Sequence, residues 1–131
     1  MRIDSELLDT LTQAAKESPR LRMNYDLRTS PADGSQRMLN ALEPGTAIPI
    51  HRHTKSTEVV VMLRGCGIQY YYDDAGNVTG STLLEAGGPC AMMSVELGQW
   101  HRLEALESGT VIFESKDGPY EPLGPEDVMG V

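Results

Sequence analysis

The sequence predicts an all-β fold, a jelly-roll barrel of two packed sheets entered through one short helix. Three observations lead there. Turn-forming clusters, SPADGS, EPG, RGCG, DDAGN, EAGGP and SKDGP, punctuate the chain at short intervals, and such clusters between half-apolar runs mark strand connections. The runs between them have strand length, at residues 36 to 43, 47 to 53, 57 to 64, 68 to 73, 78 to 84, 90 to 95, 99 to 105 and 110 to 116. A helical period occurs only at the amino end. Eight short strands within about 80 residues suit a double-sheet sandwich or barrel, of which the jelly roll is the usual form.

Each element has its own local reason. Asp4 or Ser5 can cap the helix and Glu6 suits its first turn. Leu7, Leu8, Leu11, Ala14 and Ala15 recur at helical spacing before Ser18-Pro19 stops it. Arg20, Arg22 and Asn24 precede the barrel and read as solvated residues or as a cap on its mouth. In the first barrel strand Arg37 and Asn40 have opposite parity, so at most one faces inward. In the second, His51 and His53 share a face and Arg52 takes the other. The third opens on Glu58 and continues as VVVML, apolar on both faces, so both faces are expected to be covered by the helix or a second subunit. Tyr70 and Tyr72 share one face of the fourth strand, Gln69 and Tyr71 the other. Trp100 opposes His101 in the seventh, which favours packing, and Glu114 and Lys116 share a face of the last, as a surface pair or as contacts to a ligand. The tail after Tyr120, with Pro122, Gly124 and Pro125, reads as a surface extension. One domain therefore covers residues 1–131: helix 1–18, barrel 36–116, extension 117–131.

Composition narrows the function. Eleven basic against nineteen acidic residues give a net charge of −8, a field that repels nucleic acid. The amino terminus lacks an apolar core of signal-peptide length, and no apolar run reaches membrane-spanning length. A soluble, cytoplasmic protein with no nucleic-acid or membrane partner is expected. Cys66 and Cys90 read as free buried thiols.

The stretch IPIHRHTKSTEVVVMLRG carries the chemistry. A short loop, Thr54 to Thr57, brings Glu58 back toward His51 and His53, and two imidazoles with a carboxylate suit a divalent transition metal. A bare His-x-His in a strand is more commonly a pair of satisfied or exposed side chains. Two features weigh toward metal here. The chain has only three histidines, and the third, His101, follows a turn signal in another strand. A carboxylate beside VVVML also needs a compensating charge once buried.

These residues resemble the cupin family. Its first motif is a glycine, five residues, His-x-His, three or four residues, Glu, six residues and a glycine; Gly45, His51, His53, Glu58 and Gly65 meet every interval. In the second motif Gly98 and His101 fit, while Cys90, Glu96 and Ala105 replace the usual glycine, proline and asparagine. Over residues 18 to 121, SPRLRMN, QRMLNALEPG, HRH, QWHRLEAL and FESKDGPY are similar to the WbuC family of cupin-fold metalloproteins, which is associated with bacterial surface-polysaccharide gene clusters.

The resemblance implies a cupin-type double-stranded β-helix. It also implies that His51, His53, Glu58 and His101 bind one divalent ion of Fe, Zn, Ni, Mn, Co or Cu, with one or two coordination positions left for water or substrate. The function expected is that of a metal-dependent isomerase, epimerase or lyase-like enzyme on a small polar ligand such as a sugar or sugar acid. An iron-dependent dioxygenase and a non-catalytic binding or sensing module are the alternatives. Glu114 is the candidate proton carrier, Arg37, Tyr70, Lys116 and Tyr120 are candidate substrate contacts, and a homodimer is expected.

Overall fold

The computed structural model describes residues 1–129. Helix α1 (Ser5–Glu17) begins where the Asp4 carboxylate accepts the Leu7 N–H at 3.1 Å, with Glu6 in the first turn and Lys16 in the last, where each suits the helix dipole. Its buried stripe, Leu8, Leu11 and Ala15, lies on Leu39, Ala41 and Val111. Each leucine sequestered in this way contributes about 1.5–3 kcal/mol.

Eight strands follow: β1 (Arg22–Asp26), β2 (Ser35–Leu42), β3 (Glu58–Arg64), β4 (Cys66–Tyr72), β5 (Val78–Glu85), β6 (Met92–Val95), β7 (Trp100–Ala105) and β8 (Thr110–Asp117). They form two antiparallel sheets, β1-β2-β8-β3-β6 and β5-β4-β7. This is the cupin-type jelly roll with a short amino-terminal helix that the sequence predicts. The alternation in β3 shows how the layers arise: Glu58, Val60 and Met62 are buried between the sheets, while Val59, Val61 and Leu63 turn outward. Leu42, Val60, Met62, Leu84, Leu103, Ala105 and Ile112 fill one part of the interior. Farther along the same inward face, Lys116 lies opposite Glu58 and Glu114 opposite Val60, so the packing turns polar.

Seven of the expected strands occur within two residues of their predicted bounds. The eighth, 47 to 53, is an extended segment held at one residue. Pro49 has no N–H to give a ladder, and among the described residues its only bridges are those of His51, to His101 and to Val128. Conversely, Arg20, Arg22 and Asn24, expected as solvated residues or a cap on the barrel mouth, line a cavity, and the last two belong to an unexpected strand, β1. It pairs with β2 residue for residue, Arg22 opposite Leu42 and Asn24 opposite Asn40, and its outward Met23 and Tyr25 pack with the helix.

The tail departs from a plain surface extension. After the 3-10 turn Pro125–Asp127 it is stitched to the histidine segment by Met129 N–H to Ile50 O at 2.9 Å, Arg52 N–H to Asp127 O at 3.0 Å and an Arg52–Asp127 ion pair at 2.9 Å. Residues 130 and 131 of that extension lie outside the described residues. Both cysteines are free, though half-buried rather than buried. Among the described residues no helix is long and apolar enough to cross a membrane.

Gly65 shows why the spacing ends on glycine. Its φ is +79°, and a Cβ there would stand 2.4 Å from Thr110 Oγ1 and 3.0 Å from Thr110 Cα. Gly65→Ala is expected to lower stability by about 1–3 kcal/mol through the backbone conformation alone, with the steric clash adding to it. Urea unfolding of the two proteins measures this, and coincident midpoints would contradict the strain.

Candidate functional site

The extended segment runs along the free edge of β7, where His51 and His101 exchange both main-chain hydrogen bonds, at 3.1 and 2.9 Å. Residues paired in this way project their side chains to the same face. Their rings therefore meet, with centroids 4.3 Å apart, and His53 joins them at 5.1 Å from His51 and 5.4 Å from His101. The second motif closes its turn without a proline: Gly98 takes φ +77°, Gln99 N–H donates to Glu96 O at 3.1 Å, and Gly98 N–H donates to His53 O at 2.8 Å. That last bond anchors the strand end beyond the second histidine.

The ring nitrogens are directed by the same local backbone. His51 Nδ1 lies 2.8 Å from Pro49 O and His101 Nδ1 2.8 Å from Gln99 O. A carbonyl accepts only, so the proton resides on Nδ1 and the Nε2 lone pair is left for a cation. Each of the three histidines presents one nitrogen to a group whose members all lie within 4.8 Å of one another. Burial, reinforced by His101, pushes the His51 pKa down to about 4, so the ring is neutral, as a metal ligand must be.

Glu58 enters from β3, in the other sheet. Its Oε2 lies 3.0 Å from His53 Nε2 and 3.2 Å from Lys116 Nζ, and its Oε1 lies 3.8 Å from His101 Nε2. Burial works against its charge, but the facing His101, His53 and Lys116 win and hold the carboxyl well below the usual range. His53 Nε2 and His101 Nε2 are nevertheless buried without a hydrogen-bond partner. Two buried imidazole nitrogens turned toward an ionised carboxylate fit a cation between them, and the donor set of imidazoles and carboxylate suits a divalent transition metal.

The cluster opens into a cavity of about 630 Å³, a volume suited to a small molecule. Glu114 stands on its wall with Oε1 accepting from Asn40 Nδ2 at 2.8 Å. Its desolvation, with the charge of Glu58 nearby, raises the pKa to about 7. Lys116 and Glu114 face inward, so they are no surface pair. Tyr120 lines the cavity from the returning tail, with Arg28 5.6 Å from its ring centroid. Arg37 and Tyr70 are placed elsewhere. Arg37 pairs with Asp33 at 2.7 Å, and Tyr70 projects from the far face of β4, where Arg102 covers its ring. Asn40, of opposite parity to Arg37, is the inward residue. Of the tyrosines Tyr71 points inward, and its hydroxyl is used on Thr82 and Met93. Arg22 and Gln69 also line the cavity; strand parity grouped Gln69 with Tyr71 but could not say which face was interior.

With this geometry, the chain can be compared with known proteins. The model of a family described as "Domain of unknown function (DUF6016)" matches residues 3–84. The chain belongs to that family. No protein of curated function matches its sequence. Among solved structures, it is similar to an oxalate oxidase in complex with the substrate analogue glycolate, at 15% identity and TM-score 0.62 over 79% of this chain and 54% of that one. It is also similar to a mutant oxalate decarboxylase of Bacillus subtilis, at 20% identity and TM-score 0.57 over 75% and 25%. KdgF from Halomonas sp. matches at 12% identity and TM-score 0.60 over 79% and 84%. The chain thus spans about half of the oxidase and a quarter of the decarboxylase. These are cupin-fold proteins, and at such identities the likeness is one of fold.

Glu114 gives a pH test. A carboxyl whose folded pKa is raised from 4.5 to about 7 contributes stability that is fully present below pH 4.5 and is lost as pH rises through 7. Metal-stripped protein should therefore lose stability from about pH 5 to 8, by up to about 3 kcal/mol at this site. Glu114→Gln should flatten that decline in urea titrations run across the range; an unchanged decline would place its origin elsewhere.

Proposed function

We propose that the protein is a metal-dependent enzyme acting on a small polar substrate, a sugar or sugar-acid derivative, with His51, His53, Glu58 and His101 holding one divalent transition-metal ion. The observation that carries this reading is the pair of buried, unpartnered nitrogens, His53 Nε2 and His101 Nε2, converging with His51 beside an ionised carboxylate. Each buried polar atom left unpaired costs about 1–3 kcal/mol, a cost that a shared cation removes. Bound there, the ion supplies Lewis acidity toward a substrate hydroxyl or carbonyl oxygen.

The protein's own groups do the rest. Lys116 holds Glu58 Oε2 and keeps the carboxylate ionised and oriented. Glu114 has Oε1 fixed by Asn40 and keeps its other oxygen for the substrate. With a pKa near neutrality it can take a proton from carbon or oxygen and return it, as isomerisation, epimerisation or elimination requires. The returning tail, through Tyr120 and Leu123, walls one side of the cavity and limits the access of water. The WbuC-like segments support a substrate from bacterial surface-polysaccharide chemistry in the cytoplasm. A homodimer is supported by Leu63 and Met92, exposed apolar side chains on β3 and β6.

Elemental analysis of protein purified without chelator or a nickel column is expected to give near one metal per chain, lost in the His51→Ala, His53→Ala double variant. No metal in either, even after reconstitution, removes the metalloprotein reading. Glu114→Gln should retain metal while turnover falls by about 100- to 10,000-fold, followed by NMR on a panel of saccharides and sugar acids. Saturable binding that leaves every compound unchanged would reassign the site to a binding module.

A further inference from the structure

Six buried side-chain polar atoms lack a partner among the described residues: Thr12 Oγ1, Arg22 Nε, Asn40 Oδ1, His53 Nε2, Gln69 Oε1 and His101 Nε2. Native proteins leave few such atoms, and each asks for a reason. Here all but Thr12 belong to residues that line the cavity described above. The two imidazole nitrogens are accounted for by the metal reading. Arg22, Asn40 and Gln69 remain, and their chemistry is specific: one cationic donor and two neutral acceptors.

Arg22 differs from the four of the chain's eight arginines that pair with aspartates. Arg28, Arg37, Arg52 and Arg64 each pair with an aspartate at 2.7 to 2.9 Å. Arg22 makes no ion pair or hydrogen bond of its own among the described residues, although it faces inward from β1, opposite Leu42, and its Nε is sealed from solvent. Arg20, also on the cavity lining, adds a second positive charge close enough to repel it, while Glu114 is near enough to attract it without an ion pair forming. Arg20 and Arg22, which make no ion pair among the described residues, put two positive charges close together on the cavity wall, and a positive patch of this kind favours an anion. The planar guanidinium matches a carboxylate through two parallel hydrogen bonds.

The acceptors define the rest of the ligand. Asn40 donates its Nδ2 to Glu114, so Oδ1 is what it offers the cavity. Gln69 is 1% exposed and reaches in from β4, in the opposite sheet, with Oε1 unpaired. Carbonyl oxygens of this kind take hydrogen bonds from hydroxyl groups, and their positions on the two sheets suit a molecule carrying more than one.

We infer that the cavity binds a small polyhydroxylated carboxylate, with Arg22 taking the carboxylate and Asn40 and Gln69 accepting from its hydroxyls. This rests on the reading of the cavity as the substrate site and deepens it by naming the residues that set specificity. It does not depend on the metal, because none of the three residues hydrogen-bonds a histidine among the described residues.

The test is calorimetric titration of metal-stripped and metal-loaded protein with two matched pairs, D-gluconate against D-glucitol and D-glucuronate against D-glucose, and with D-glucose 6-phosphate. At least one acid is expected to bind saturably to the stripped protein, about tenfold or more tightly than its neutral counterpart, since a hydrogen bond to a charged group carries that much. Arg22→Gln should bring the acid down to the level of the neutral compound and leave the neutral compound unchanged. Gln69→Leu should weaken both alike. Should Arg22→Gln fail to give a native circular-dichroism spectrum, Arg22→Lys serves instead, with a partial loss confined to the acid. Equal binding of acid and neutral partner, preference for the phosphate, undiminished acid binding by the Arg22 variant, or no saturable binding at all would overturn the inference. Metal content measured on the same samples separates the two readings. A chain that takes up no metal but loses acid binding with Arg22 keeps this inference and loses the metalloenzyme. A chain that keeps its metal and ignores the acids does the reverse.

Discussion

The reciprocal main-chain hydrogen bonds between His51 and His101 are the constraint on which the site depends. They attach a segment that forms no ladder to the edge of a three-stranded sheet, at one residue, and thereby bring together two imidazoles separated by fifty positions in the chain (101 − 51). The side-chain geometry of an antiparallel pair does the rest. His53 follows because it lies two residues along the same face, and Gly98 N–H holds that end of the segment. Each Nδ1 is fixed by a carbonyl two residues earlier in its own chain, at Pro49 and Gln99. The direction of the lone pairs is therefore built into the backbone.

The five-stranded sheet supplies the other half. Along its inward face, one part is hydrocarbon, with Leu42, Met62 and Ile112 packed against Leu84 and Leu103 from the opposite sheet. Elsewhere on that face the same alternation delivers Glu58, Glu114 and Lys116, a set that cannot close-pack without leaving charge unsolvated. The cavity lies where the two parts meet, lined by the polar set and by Leu42, Val60, Leu103 and Ile112 at the border of the hydrocarbon part. The acidic and basic groups then shift one another: Glu58 is held ionised by His101, His53 and Lys116, while desolvation and the charge of Glu58 keep Glu114 poised near neutrality.

Much of this was legible in the sequence. Turn clusters located seven strands, and the intervals from Gly45 to Gly65 singled out two of the imidazoles and the carboxylate now found together. What the sequence concealed has a common cause, because periodicity says which side chains share a face but not which face is interior. Arg37 and Asn40 could not both point inward, and the pairing of β2 with β8 chose Asn40, beside Glu114. Tyr70 and Tyr71 were likewise separable, and the sheet took Tyr71. Strand β1 escaped notice for a related reason: its row of Arg22, Asn24 and Asp26 is polar, the first two lining the cavity and the third exposed beside Arg28, so it lacks the apolar alternation that announces a strand. The tail returned through contacts of Arg52 with Asp127 and Glu126, pairings between distant residues that no local pattern encodes.

Arg52 has a second neighbour. Pointing away from the histidines that flank it, its guanidinium lies over the Trp100 ring at 4.5 Å from the centroid, while the indole N–H donates to Asp74. Trp100 is the chain's one tryptophan, and it precedes His101. Tryptophan fluorescence from this protein is consequently a single-site optical signal, emitted from the outer side of the very strand that carries the third imidazole and beneath the residue that clasps the tail. Any event that disturbs the histidine segment passes within one residue of the fluorophore on both strands, so the molecule carries its own label at the place where its chemistry is assembled.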